Sequence, residues 1–118
     1  MLDKAQILAA DDRKLTSVPC AEWGGDVYIR CMSGEERDIY EGECYQLKGK
    51  NITFNRQNVR ARLLVRCLCD ESGKRLFADA DAKELGQKSG RVLDRLFDVA
   101  QKTNGLTKAD VDDLSKNS

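Results

Sequence analysis

The side chains able to do chemistry in this chain are few, and their spacing rules out most of what they could do together. There is no histidine, which removes the commonest general base and the commonest metal ligand at once. Five cysteines are present, but without an imidazole none has the usual partner of a cysteine nucleophile. Cys67 and Cys69 are the one close pair. On a helix, positions two apart point roughly 200° away from each other, so these two do not jointly hold an ion. Cys20, Cys31 and Cys44 follow no zinc-finger or ribbon spacing. Buried, reduced thiols are the expected state, and no metal is assigned. The acidic groups Glu35-Glu36-Asp38 and Asp110-Asp112-Asp113 both fall at predicted helix starts, where carboxylates meet the positive end of the helix dipole. Gly24-Gly25 has no Lys-Ser/Thr downstream, so no phosphate-binding loop is read there. No catalytic residue and no cofactor site emerges, and the chain reads as a non-enzyme.

Arg56, Arg60, Arg62 and Arg66 make the best case for nucleic acid. A recognition helix needs one exposed basic face, whereas here apolar strips separate the arginines. Lys+Arg and Asp+Glu are both 20, so no net field draws in a polyanion. A small nucleic-acid-binding regulator using these four arginines is the alternative function. The preferred reading has them solvated or at the core rim, with no nucleic-acid partner.

The element that must organise these side chains is Asn58 to Asp70. Placed on a helix, Ala61, Leu64, Val65 and Leu68 share one face, and Val59, Leu63 and Cys67 form a second apolar strip. A helix apolar on two sides is packed on two sides. The expected fold is α+β, mostly α: a small helical domain, residues 1–118, with an N-terminal β-hairpin packed on this central helix. At 118 residues one domain can bury a core without staples. No apolar run approaches the roughly 18 residues of a membrane span. The N-terminal sequence lacks a signal pattern, so a cytosolic protein with no membrane partner is expected.

Asp3 and Gln6 are spaced as a capping box for a short helix over Leu2–Ala10. Gly24-Gly25 suits a two-residue hairpin turn. That turn sets Cys20 opposite Ile29 and Val18 opposite Cys31. Alternation then places Val18, Cys20, Val27, Ile29 and Cys31 on a core side, with Ala21, Trp23, Tyr28 and Arg30 opposite. Pro19 donates no ladder hydrogen bond, so its strand belongs at an edge. Ser33 and Glu36 open a poorly amphipathic helix over Gly34–Leu47, on which Ile39, Tyr40, Cys44 and Leu47 face one way and Tyr45 lies on the opposite flank. Residues 48–55 read as a loop. Asp70–Lys74 reads as a turn, and Arg75-Leu76-Phe77 re-enters the core. Asp79 caps a short helix ending at Leu85-Gly86. Ser89 opens a regular amphipathic helix to Asn104 with Val92, Leu93, Leu96, Phe97, Val99 and Ala100 on its apolar side, and Gly105 is its C-cap. Thr107–Leu114 is a last short helix, with residues 115–118 frayed.

Several stretches carry a resemblance. VPCAEWGGDVYIRCMSGEERD, then RARLLVRCLCDESGKRLFADADAKELGQKSGRVLDRLFDVAQKTNGLT, resemble the tail assembly chaperones of bacteriophages with long, non-contractile tails. The features fall in the family's order and cover nearly the whole chain. The resemblance implies a non-enzymatic protein of the host bacterial cytoplasm, absent from the mature virion. It implies binding of the tape-measure protein and of tail-tube subunits, self-association, and a longer form made by translational frameshifting. A protein of that kind needs a contact surface. Trp23 and Tyr28 on the outer hairpin side, with Ile39, Tyr40 and Tyr45 on the irregular helix, are the candidate partner-binding residues, because aromatics with polar ends bury area with few rotatable bonds.

Overall fold

The computed structural model describes residues 1–106. Helix α1 (Lys4–Ala9) starts where the sequence predicts. Asp3 accepts from the Gln6 N–H at 2.8 Å, and Gln6 returns the bond at 2.9 Å. No residue of α1 is buried, and Leu2, Ile7 and Leu8 are exposed.

Strands β1 (Leu15–Cys20) and β2 (Gly25–Arg30) form the N-terminal hairpin. Its register differs from the expectation. Val18 pairs with Val27 and Cys20 with Gly25, because Ala21–Trp23 make a 3-10 turn closed by Gly24 at φ 85°. The wider turn sets Trp23 against the core edge and lets Glu22 reach Arg95. The slip is even, so the alternation of faces survives. Cys20 and Ile29 are buried on the core side. The opposite side is covered too, since Arg30 is buried and pairs with Glu36 at 2.5 Å. β1 is an edge strand, which is where Pro19 fits.

Helix α2 (Gly34–Cys44) carries the predicted capping box, Ser33 with Glu36. It stops at Cys44, short of Leu47. The chain then forms a second hairpin where a loop was expected: β3 (Tyr45–Lys48) and β4 (Asn51–Phe54), turning at Gly49 with φ 64°. The reason is visible in hindsight. Tyr45 and Leu47 alternate with polar residues, and so do Ile52 and Phe54, across a glycine able to take positive φ.

Helix α3 (Val59–Cys67) is central, touching α2, α5, β2 and α4 (Ala82–Leu85). Ala61, Leu63, Leu64, Val65 and Cys67 are all buried, as packing on two sides requires. It ends three residues before the predicted Asp70. Leu68 and Cys69 form β5 instead, pairing with Ile29 and Tyr28 and giving the strand order β1-β2-β5. The inner edge of β2 is thereby satisfied, and Cys67 and Cys69 lie on different elements.

Asp70 Oδ1 accepts from the backbone N–H groups of Ser72 and Lys74, both at 2.9 Å, and fixes the predicted turn. Phe77 packs on the core, but Leu76 points outward against expectation. Its place inside is taken by Arg75, whose Nε donates to the Val65 carbonyl at 2.9 Å. Asp79–Asp81 is a 3-10 turn leading into α4. Helix α5 (Gly90–Thr103) buries Val92, Leu93, Leu96 and Ala100, with Phe97 and Val99 half-covered, on the face read from its periodicity. Gly105 at φ 68° ends it. Its N–H donates to Lys102, and the N–H of buried Leu106 donates to Gln101, the paired bonds of a Schellman motif. The predicted helix over Thr107–Leu114 and the tail 115–118 lie outside the described residues.

Candidate partner-binding surface

Opposed residues of an antiparallel pair lie on the same face. In the β3–β4 hairpin Tyr45 opposes Phe54, and Leu47 opposes Ile52. One face is therefore wholly apolar, and Gln46, Lys48, Asn51 and Thr53 take the other. At its root Tyr45 and Phe54 meet edge to face, with centroids 5.4 Å apart. Towards the tip none of the described residues covers it: Leu47 is 76% exposed, Ile52 38% and Phe54 39%. A two-stranded hairpin is at best marginal alone, so something must hold this one in shape.

The holding is done by arginines. Arg62 Nη2 donates to the Asn55 carbonyl at 2.5 Å, and its Nε to the Gln57 carbonyl at 2.9 Å. The Asn55 N–H donates to the Cys44 carbonyl at 2.6 Å, and its side chain to the Glu43 carbonyl at 3.3 Å, tying the two ends of the hairpin together. Arg66 is only 1% exposed. It clasps Glu43 through two bonds, reaches Asp79 at 3.3 Å, and lies over the Tyr40 ring at 5.9 Å. Arg60 pairs with Asp94 at 2.8 Å. The arginines of the nucleic-acid alternative are thus mostly consumed inside the fold; of the four, Arg56 alone has no carboxylate partner among the described residues, and it lies 5.7 Å over the Phe54 ring.

A second charged cluster sits beside the first hairpin. Glu36 receives Arg13 at 2.9 Å, Arg30 at 2.5 Å and Arg75 at 3.5 Å. Burial works to raise the Glu36 carboxyl. The Ser33 bonds with Arg30 and Arg13 overcome that and hold it below its ordinary value. Arg75 also pairs with Asp79, whose carboxyl is lowered by that bond against a smaller opposing effect of burial.

The five candidate contact residues fall in different settings. Tyr40 is a correction: at 6% exposed it belongs to the core. Burial, then the neighbouring Cys44 thiol, push its hydroxyl above the usual range. The helical spacing that set Tyr40 beside Cys44 was sound, but Arg66 closes over that face. Trp23 is half-buried, with the Lys88 ammonium 6.0 Å from its ring, beside the start of α5. Tyr28 is half-buried in β2 between β1 and β5. Ile39 is 46% exposed on α2. Tyr45 forms the root of the apolar hairpin face. Leu47, Ile52 and Phe54 are not among those candidates, although their alternation around Gly49 is legible in the sequence.

Four of the five cysteines, Cys20, Cys44, Cys67 and Cys69, are buried free thiols, and Cys31 is half-covered. Burial pushes Cys67 up to about 12 although the Asn104 amide, 3.4 Å away, works the other way. Among the described residues no group of His, Cys, Asp or Glu is arranged to hold a metal ion, and no helix is long and apolar enough to cross a membrane.

Fold and surface together define a small α+β domain whose distinctive feature is an anchored apolar platform. This chain belongs to the phage tail assembly chaperone family, whose profile matches residues 4–117. The structure of the bacteriophage HK97 tail assembly chaperone is similar. It aligns over 84% of this chain and 90% of that one, with TM-score 0.59 and 22% sequence identity, and shows the same fold. A comparison with curated proteins gives no match.

Proposed function

We propose that this chaperone binds the tape-measure protein of its phage and recruits tail-tube subunits to it, in the host bacterial cytoplasm, before and during polymerisation of the tube. It keeps the tape-measure protein soluble by covering apolar surface, performs no chemical step, and is absent from the mature virion. Several copies act along one long partner, a frameshifted longer form among them. The observation that carries this reading is the apolar face of Leu47, Ile52 and Phe54, left open on a hairpin fixed at its root by Arg62, Arg66 and Glu43. Large apolar side chains gathered on one exposed face mark a binding site. Membership in a tail assembly chaperone family supplies the process in which such a site acts.

The test is co-expression with the tape-measure and tail-tube proteins of the same phage, followed by affinity capture on this chain. Capture of the tape-measure protein, and its appearance in the soluble fraction only when this chain is present, is the expected result. An insoluble tape-measure protein that never co-purifies with the folded chaperone overturns the reading.

A further inference from the structure

The apolar face of the β3–β4 hairpin has an electrical setting that the rest of the chain lacks. From Cys44 to Cys69 the sequence contains no Asp or Glu, but it holds Lys48, Lys50, Arg56, Arg60, Arg62 and Arg66. Arg60, Arg62 and Arg66 are matched by Asp94 and Glu43. Lys48, Lys50 and Arg56 have no ion pair among the described residues. Two of them flank the hairpin tip, and the third lies over Phe54 at the root. In a chain with no net charge, a run free of acidic residues thus sets cations without an ion pair beside an open apolar face.

We infer that this face receives an amphipathic helix of the partner polypeptide whose apolar stripe is bordered by carboxylates. The inference rests on the proposed function and specifies the chemistry of what is bound. The open surface is a side-chain face, so the occupant packs as a second layer over the hairpin, as helices do on sheets. Strands of four residues span about 14 Å, which matches about two and a half turns of helix at 1.5 Å per residue. Leu47 and Ile52 supply the apolar contact. Lys50 at the turn and Arg56 over Phe54 meet acidic side chains at the two ends of the face, which orients the helix and speeds encounter. The most exposed part of the face, Leu47 and Ile52 towards the tip, is aliphatic and offers bases no stacking platform, and the Phe54 ring at the root already carries Arg56, so the surface favours polypeptide over nucleic acid.

The experiment uses the full chain and two labelled synthetic helices with the same leucine stripe, one flanked by glutamates and the other by lysines, with binding read by fluorescence anisotropy at low and high salt. The glutamate helix should bind on the order of tenfold more tightly at low salt, and the preference should shrink as salt rises. A Lys50→Glu/Arg56→Glu variant should reverse the preference, and Leu47→Ser/Ile52→Ser should abolish binding of both helices while circular dichroism stays unchanged. Equal affinity for the two helices, or binding that survives the serine variant, overturns the inference. Three other occupants give distinct results, each of which also overturns it. A second copy would show as self-association lost in the serine variant, with no peptide binding. The chain's own segment 107–118, which holds Asp110, Asp112 and Asp113, would show as peptide binding only after its removal. Nucleic acid would show as a labelled oligonucleotide bound in place of both helices. If the serine variant still captures the tape-measure protein, this inference fails and the proposed function stands. If the unaltered chain captures nothing, the proposed function fails independently of the peptide result.

Discussion

Arg66 and Glu43 are joined by two parallel hydrogen bonds, Nη1 to Oε1 at 3.0 Å and Nη2 to Oε2 at 2.9 Å, across the joint between the central helix and the end of α2. The guanidinium is buried and the carboxylate partly exposed. The pair fixes the point from which the apolar hairpin leaves the body of the protein. Glu43→Ala leaves a buried cation with one more distant carboxylate, Asp79, and the Arg62 carbonyl. The expected cost is about 3 kcal/mol, read as a lowered urea midpoint with faster amide exchange over residues 45–54. Arg66→Met keeps the volume and removes the charge, and should cost only about 1 kcal/mol. Equal losses in the two variants would contradict this account.

The tyrosine beneath that pair and the aliphatics beyond it should behave in opposite ways. Tyr40→Ala empties a core site and is expected to cost about 3–5 kcal/mol. Leu47→Ser and Ile52→Ser touch exposed positions and should alter stability by within about 0.5 kcal/mol, while reducing capture of the tape-measure protein. Thermal unfolding and pull-down on the same preparations separate the two effects. A hairpin variant that unfolds early, or a Tyr40 variant that does not, would reverse the assignment.

Acid should loosen the molecule through its arginine-bound carboxylates. The Arg95 guanidinium holds the exposed Glu22 carboxyl at about 2, against an ordinary 4.5. Glu36 and Asp79 are lowered as well. A carboxylate lowered in the folded state binds fewer protons there than in the unfolded chain. Its contribution is complete above the unfolded value and is lost as pH falls towards the folded one. The melting temperature should therefore hold near neutrality and decline below about pH 4.5. Glu36→Gln should start lower and decline less steeply. A melting temperature that rises on acidification would count against these pairings.

The cysteines should separate by burial. Alkylation of the folded protein at pH 8, followed by peptide mass analysis, is expected to modify Cys31 first. Cys20, Cys44, Cys67 and Cys69 should react only after unfolding, because they are buried. Burial also keeps Cys67 protonated with its value near 12, and the thiolate is the reactive form. Early labelling of Cys67 would mean that α3 opens far more readily than its packing implies.

Much of the architecture was written locally. Asp3 with Gln6, Ser33 with Glu36, and Ser89 with Gly105 bracket helices through bonds that span a few residues, so sequence spacing alone reveals them. The apolar stripe of α5 and the two apolar strips of α3 follow from helical period. The core side of the first hairpin survived a wrong register because the slip was even. The site was less legible. Leu47 fits both a helical face with Tyr40 and Cys44 and an alternating strand with Tyr45, and nothing local chooses between them.

The sequence by itself determined an α+β fold, the helix starts, the doubly apolar central helix and the place of Pro19 at a sheet edge. It also carried the family resemblance across nearly its whole length. Only the tertiary structure decided that α3 gives way to a strand at Leu68, that α2 breaks at Cys44, and that Tyr40 is inside while Leu47 is outside. Those choices depend on partners distant in sequence: Ile29 for Leu68, Glu43 for Arg66, Asn55 for Arg62. A short segment able to adopt two periods takes the one whose backbone and side-chain groups find such partners in the folded chain.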